Sequence, residues 1–180
     1  MAIDKLKRYL NIQNTSQDLL LQDCNDFATA YCDTFTNRKL LNTTNIETCY
    51  VNRYNKIYLN NYPITEIIKL ELYNFNIHDY EEIDKNLAEI YNEDVIFIKT
   101  YYSHELFRIT YKAGYLTYPY DLETVIIKIA SEHYFNSPAG DKRQGIETRN
   151  VNSQGSMGDS YKSIMNECNS ILEKYRKVNV

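Results

Sequence analysis

The sequence is poor in the residue types from which catalytic and metal sites are most often built. Among its 180 residues are three histidines, four cysteines, five glycines, three prolines and no tryptophan. The cysteines, at positions 24, 32, 49 and 168, form no CxxC pair and have no histidine at metal-ligand spacing. Most of them fall on apolar helical stripes, so we expect buried thiols that pack as small hydrophobic side chains.

Motifs of hydrolases and nucleotide-binding proteins are also missing. The sequence has no GxSxG, GxxxxGKS/T or GxGxxG motif. His104 and Glu105 begin like the HExxH zinc motif, but Arg108 stands where the second histidine ligand is required. His78 lies in an acidic segment, and His133 lies beside an apolar helical stripe, where a hydrogen-bonded ring is expected rather than a base. We therefore predict no enzymatic activity, no metal and no cofactor.

Long apolar runs and clustered positive charge are absent as well. No run approaches the roughly 18 apolar residues of a membrane-spanning helix, and the N-terminus has no secretory h-region. With 24 acidic and 20 basic residues the net charge is -4, which argues against a protein that grips nucleic acid by its phosphates. A protein past which DNA slides is compatible with this charge.

The apolar pattern predicts helices at both ends of the chain and strands between them. Short strands are expected at 46–51, 56–59, 64–73, 95–99 and 106–112, where apolar and polar side chains alternate. In 64–73, for example, Ile68, Leu70 and Leu72 alternate with Lys69, Glu71 and Tyr73. The acidic segment 79–92 is expected to be a loop or a helical insertion. The second helix is expected to end near Arg38, with an apolar stripe of Leu20, Cys24, Phe27, Tyr31 and Phe35.

We predict an α+β fold: a bundle of three main helices and a short N-terminal helix, with one small antiparallel β-sheet inserted between the second and third helices. At this length a single domain is expected. Its predicted parts are N-terminal helices (1–39), a β-sheet insertion (40–112), a central helix (119–136), an extended Gly-rich loop (137–158), and a C-terminal helix and tail (159–180).

The predicted loop at 137–158 holds four of the five glycines of the chain, together with Lys142, Arg143 and Arg149. Its composition offers too little apolar surface to fold alone. Ordering such a loop costs conformational entropy, which is usually tolerated when the loop is mobile or when a partner orders it. We expect it to contact neighbouring copies of the protein, with a plain disordered connector as the alternative.

The most informative segment runs from the strand at 106–112 into the helix at 119–136. Gly114 can take the positive φ of a chain reversal, and Pro119 suits a first helical residue because its missing N–H had no partner there. Asp121 and Glu123 then place negative charge at the positive end of the helix dipole. The segment is therefore predicted to be a tight hinge between sheet and helix.

This hinge resembles the head-tail connector, or adaptor, family of tailed bacteriophages, in which a Tyr-x-Ala-Gly-Tyr-like strand end precedes Pro-x-Asp-Leu. Here the segments read Tyr111-Lys-Ala-Gly-Tyr115 and Pro119-Tyr-Asp-Leu122. Ile57-Tyr-Leu59 followed by Pro63-Ile-Thr-Glu-Ile67 resembles the strand pair upstream in that family, and the end of the chain, from Gly158 to Arg176, is also similar. The residues that carry the family's structural motif are Tyr111, Ala113, Gly114, Tyr115, Pro119, Asp121 and Leu122.

The resemblance implies a structural virion protein at the neck, made in the host cytoplasm. It implies a homo-oligomeric ring, expected to be a dodecamer, below the portal protein. The ring would extend the DNA channel, let genomic DNA pass without specific binding, and provide the platform for a downstream neck or tail protein. Expected contacts to portal and neighbouring copies are Lys142, Arg143, Arg149, Asn150, Gln154, Ser156, Met157, Lys174, Arg176, Lys177 and Val180.

Other functions remain as alternatives to the connector. A stopper or a tail-terminator protein would also be a small α+β virion component. A DNA-binding regulator is less favoured, because the helix at 119–136 carries Lys128 as its one lysine or arginine and offers no basic recognition face. A buried pocket with converging polar groups would favour an enzyme instead.

Overall fold

A computed structural model describes residues 3–100, 102, 104–137 and 157–177, of which 157–163 are described by their backbone. The chain is α+β and divides into two compact units. A helical unit is drawn from Met1–Asn37 and Tyr118–Val180, and a sheet unit from Arg38–Thr117. The sheet unit is therefore inserted, along the chain, into the helical unit.

The described part of the helical unit contains four α-helices. They are α1 (Ile3–Leu10), α2 (Asp18–Thr36), α3 (Tyr120–Phe135) and α4 (Met157–Leu172), and a short 3-10 turn at Glu173–Tyr175 follows. Helix α3 packs against α2 and α4, while α1 packs against both α2 and α3. Among the described residues, none of these helices is long and apolar enough to span a membrane. The buried side chains are mostly aliphatic or thiol groups: Leu6, Leu21, Cys24, Ala28, Cys32, Leu122, Val125, Ile126, Ile129, Ala130, Cys168 and Leu172.

The core face of α2 lies about one residue further along the chain than the predicted stripe. Leu21, Ala28 and Cys32 are fully buried, whereas Phe27 is 46% exposed. Phe27 instead stacks on His133 at a ring separation of 4.1 Å. Cys24, which belongs to the predicted stripe, is fully buried as expected.

The sheet unit contains two antiparallel sheets. Its strands are β1 (Thr43–Tyr50), β2 (Lys56–Tyr58), β3 (Ile64–Asn74), β4 (Asp79–Ile83), β5 (Ala88–Asn92), β6 (Val95–Ile98) and β7 (Leu106–Ala113). The first sheet has the order β1-β7-β3-β4 and the second the order β2-β6-β5. Central strand β7 pairs with β1 along its whole length, from Thr43 opposite Ala113 to Tyr50 opposite Leu106.

The core of the sheet unit is a continuous apolar cluster to which both sheets contribute. Strand β7 supplies every second residue to it, as expected for a strand with one packed face. The members of the cluster are Val51, Ile57, Leu59, Ile64, Leu70, Ala88, Ile96, Ile98, Phe107, Ile109, Tyr111 and Ala113. About half of the buried apolar side chains among the described residues therefore lie in the sheet unit.

The predicted fold, a bundle of three main helices and a short N-terminal helix with one small inserted sheet, is therefore wrong, because β-structure is more extensive than predicted. The described residues form four helices and seven strands in two antiparallel sheets, with much of the core in the sheets. The acidic segment at 79–92, predicted to be a loop or a helix, supplies β4 and β5. Both are edge strands, and most of their side chains are exposed, so neither carries the regular apolar alternation that identifies a strand in the sequence.

Candidate assembly surfaces

Gly114 in the connector-like motif is required by close backbone packing. Its φ is +111°, and a Cβ placed on it would lie 2.4 Å from the carbonyl oxygen of Leu41. The Gly114 amide donates a hydrogen bond to the oxygen of Pro63 at 2.9 Å, and the Tyr115 amide donates to Leu40 at 2.8 Å. This part of the motif therefore holds the two ends of the sheet unit together and is structural.

Tyr111 links the apolar core of the sheet unit to polar groups at its border. The side chain is fully buried, and its hydroxyl donates to the carboxylate of Glu47 while it accepts from the Asn61 amide at 3.2 Å. Burial and the neighbouring Glu47 carboxylate raise the pKa of Tyr111 above its ordinary value. The same carboxylate accepts from the Asn60 amide at 2.9 Å. The tyrosine therefore fixes β1 against the chain that leads into β3.

The second half of the motif organises the start of α3. Pro119 precedes the helix with a φ of -51°. The carboxylate of Asp121 accepts from the Leu122 amide at 2.9 Å and from the hydroxyl of Tyr175 at 2.7 Å. Leu122 itself is fully buried. Asp121 thus fastens the C-terminal segment to the first turn of α3, so these residues are structural as well.

The predicted contact residues lie mainly beyond the described ranges. Lys142, Arg143, Arg149, Asn150, Gln154, Ser156 and Val180 fall outside the described residues, as does the side chain of Met157, the first residue of α4. Lys174 is exposed. Arg176 is exposed and pairs with Glu173 at 3.1 Å. The Lys177 amide donates to the Thr36 oxygen at 3.0 Å, which holds the chain beside the end of α2.

One side of the first sheet carries a compact ion-pair cluster. The guanidinium of Arg108 donates to both carboxylate oxygens of Glu71, at 2.9 and 2.6 Å, and lies 4.1 Å from the centre of the Tyr80 ring. Lys69 bridges Glu71 at 2.9 Å and Glu82 at 3.4 Å. The Arg108 hydrogen bonds are the main reason that the pKa of Glu71 is lowered to about 2. This cluster keeps a fixed charge pattern at neutral pH.

The hairpin between β3 and β4 presents an apolar tip. Phe75 and Ile77 are 60% and 57% exposed. Phe75 is nevertheless held in place, because its ring meets the Tyr73 ring edge-on at 4.9 Å, and Tyr73 meets Tyr80 at 5.1 Å. The segment 74–84 has four carboxylates and no lysine or arginine. The tip is therefore an ordered apolar projection with acidic flanks.

The helical unit has an open groove between α1 and the start of α3, with a volume of about 550 Å³. Lys5 Nζ lies 2.6 and 2.7 Å from the two carboxylate oxygens of Glu123. Arg8 is exposed and has no ion-pair partner among the described side chains. Two of the lining rings, Tyr9 and Tyr120, are 55% and 84% exposed. The lining residues are Lys5, Arg8, Tyr9, Tyr120, Glu123, Thr124 and Ile127.

The three histidines lie in separate parts of the chain, each at the end of an element or in a turn. His78 and His104 lie in exposed turns with positive φ values of 55° and 68°. His133 is exposed at the end of α3 and stacks on Phe27. Within the described ranges, no group of three His, Cys, Asp or Glu side chains is arranged to hold a metal ion.

The hairpin, the groove and the ion-pair cluster were not predicted from the sequence. The hairpin had a usable signal, since Phe75 and Ile77 alternate with asparagines and an acidic segment begins two residues after Ile77. The groove had none, because its residues come from two segments more than a hundred positions apart and meet through the packing of α1 on α3. Glu71 and Arg108 likewise meet through the pairing of β3 with β7.

Comparisons with solved structures identify the fold. The neck of an empty GTA particle computed with C6 symmetry contains a chain 15% identical, with a TM-score of 0.61 and coverage of 100% of this chain and 91% of the other. A chain in the virion of a native gene transfer agent particle is 14% identical, with a TM-score of 0.64 and the same coverage. A chain in the neck of a native GTA particle computed with C12 symmetry is 15% identical, with a TM-score of 0.56 and coverage of 89% and 84%. The fold is thus one found in phage-like particles.

The family is defined by a match along almost the entire sequence. The family model described as head completion protein matches residues 1–178, and the chain belongs to this family. No curated protein matches it. The family assignment confirms the resemblance seen in the motif segments, and it confirms the predicted role as a structural head-tail protein of a virion.

Proposed function

We propose that the protein forms a homo-oligomeric ring in the virion neck, below the portal, through which the genomic DNA passes. The observation that carries this proposal is the head completion family match over residues 1–178. The shared fold with chains from particle necks computed with C6 and C12 symmetry supports a ring, and twelve copies is the number we propose. The ring assembles in the host cytoplasm and offers its far side to the next neck or tail protein.

The proposed role is architectural and includes no reaction step. Residues 1–180 act as one connector, whose sheet unit and helical unit each bring their own core. The net charge of -4 suits a channel that repels DNA and lets it slide. The proposed contacts to portal and neighbouring copies are the segment 137–158 and the basic C-terminal tail, because charged and backbone groups there can pair with a partner surface.

The test of the ring is direct imaging of virions that carry a tagged copy of the protein. Cryo-electron microscopy should place a ring of the tagged protein immediately below the portal. Density for the protein at the distal end of the tail, or its absence from the particle, would overturn the proposal. A stopper or terminator role would place it in a different layer of the neck or tail.

The portal contact is tested by charge reversal. A variant with Lys142→Glu, Arg143→Glu and Arg149→Glu should remain folded by circular dichroism and fail to join portal particles. The matched control reverses three exposed cations of the sheet unit, with Arg53→Glu, Lys85→Glu and Lys99→Glu, and should attach normally. Equal attachment of both variants would show that the segment 137–158 does not provide the contact.

A further inference from the structure

We propose that the tip of the β3–β4 hairpin of one copy inserts into the α1–α3 groove of the next copy. The inference rests on the proposed ring and names the surfaces that close it. A cyclic assembly built from identical copies needs two different surfaces that fit each other. The described residues offer such a pair, one convex and one concave.

The convex surface is the hairpin tip, defined here as residues 74–78. An exposed phenylalanine on a mobile loop would lose conformational entropy when it binds. Phe75 avoids much of that cost because Tyr73 already holds its ring, and the Asn76 amide donates to the Asn74 side chain at 2.9 Å to shape the turn. His78, with a φ of 55°, completes the reversal into β4. The tip is therefore preorganised for docking.

The concave surface is the α1–α3 groove. Its walls combine the rings of Tyr9 and Tyr120 with the aliphatic side chain of Ile127. Its volume of about 550 Å³ lies within the range of clefts that enclose small organic groups, so it can take a phenyl ring and a branched aliphatic side chain. Large exposed aromatic side chains that border a cleft are the residue types enriched in interfaces.

Charge selects the hairpin tip as the occupant of this groove. Asp79 and Glu81 are exposed beside the tip, in a segment that has no lysine or arginine. At the groove, Lys5 is already paired with Glu123, and Arg8 is a cation without an ion-pair partner among the described residues. Arg8 can therefore pair with a carboxylate of the incoming hairpin. Such a pair at the rim of an apolar contact sets register and orientation.

The decisive experiment is cross-linking in assembled particles. Cysteines are placed on both surfaces of one chain, with Ile77→Cys and Thr124→Cys, in a Cys49→Ser background that removes the one native cysteine that is not buried. A short bismaleimide applied to neck particles should produce a ladder of covalent multimers up to the full ring. Either single-cysteine chain should give no ladder beyond a dimer.

The outcomes separate this inference from the proposed ring. Links within one chain, or no links in necks where microscopy shows the ring, would overturn the hairpin-to-groove contact and leave the ring standing. Necks that lack the protein altogether would overturn the proposed function, and the inference with it. The ring must therefore be imaged in the same preparation that is cross-linked.

A mixing experiment tests the direction of the contact. The hairpin variant Phe75→Ser with Ile77→Ser and the groove variant Arg8→Glu should each lower self-association, alone or on portal, at least tenfold. In a mixture, the groove variant still has an intact hairpin and the hairpin variant an intact groove. The two variants should therefore form heterodimers that cannot grow further. The control variants Tyr54→Ser with Tyr91→Ser and Arg53→Glu change equally exposed side chains elsewhere and should assemble normally. Mixtures that do not associate would contradict the proposal.

Discussion

Replacing Glu71 with glutamine removes the central charge of the ion-pair cluster while it preserves the shape of the side chain. Glu71 is 4% exposed and accepts hydrogen bonds from both Arg108 and Lys69. The glutamine leaves Arg108 without this carboxylate and leaves Lys69 with Glu82 alone, in a sheet whose pairing holds both cations in place. We expect the Glu71→Gln protein to fold and to be less stable than the original at neutral pH.

The magnitude follows from the pKa of the carboxyl group. A tenfold change in proton affinity corresponds to about 1.4 kcal/mol. Lowering the pKa of Glu71 from 4.5 to about 2 therefore sets an upper bound of about 3.4 kcal/mol. The side chains of Arg108 and Lys69 are 35% and 39% exposed. Water therefore screens their electrostatic interaction with Glu71. We expect a loss of about 2 kcal/mol in the free energy of unfolding.

The lowered pKa of Glu71 also determines how its contribution to stability changes with pH. Because folding lowers the pKa of Glu71, its contribution to stability is complete above pH 4.5 and is lost as the pH falls towards 2. The difference between the original protein and Glu71→Gln, measured by urea unfolding followed by circular dichroism, should therefore shrink over this interval. Glu66→Gln is the matched control, since Glu66 pairs with Lys112 on the same sheet at 2.8 Å with both side chains about half exposed. It should not change stability measurably. A difference that does not vary with pH would refute the reasoning.

Two further predictions concern backbone packing and thiols. Gly114→Ala must place a methyl group 2.4 Å from the Leu41 oxygen at a φ of +111°, so the urea midpoint should fall by the equivalent of about 3 kcal/mol, and an unchanged midpoint would contradict the packing. Burial raises the pKa of Cys24, of Cys32 to about 12 and of Cys168 to about 11, so a thiol reagent at pH 8 should label Cys49 alone in the folded protein and all four cysteines in urea. Rapid labelling of a second thiol in the folded state would show that this core opens.

The sequence patterns located five of the seven described strands and missed β4 and β5, two edge strands with mostly exposed side chains. The five predicted strands match β1, β2, β3, β6 and β7 to within a few residues, because apolar alternation is strong where one face is packed. Strands β4 and β5 have mostly exposed, acidic or polar side chains, and they are held by pairing with β3 and β6. That pairing is a tertiary interaction which the local sequence does not show.

The predicted alternation of buried and exposed side chains along β3 also differs from the observed one. Ile68 was expected to lie on the packed face with Leu70, yet it is 36% exposed, while Glu71 is nearly buried. The register between β3 and β7 shifts twice, between Ile64 and Glu66 and between Ile67 and Lys69. Such bulges change which side chains face the core, and no residue type in the segment announces them. The ion-pair cluster around Glu71 could not be predicted either, because it forms only when β3 pairs with β7.

The two ends of the sheet unit pair with each other through their backbones, at the point where the chain enters and leaves the unit. Leu41 forms a parallel bridge with Tyr115, and the Asn42 amide donates to the Tyr115 oxygen at 3.0 Å. An inserted segment whose two ends are paired behaves as a self-contained insertion, because the rest of the chain has only to supply two neighbouring attachment points. Insertions, deletions or substitutions within residues 43–113 therefore leave the two points at which the flanking segments attach next to each other.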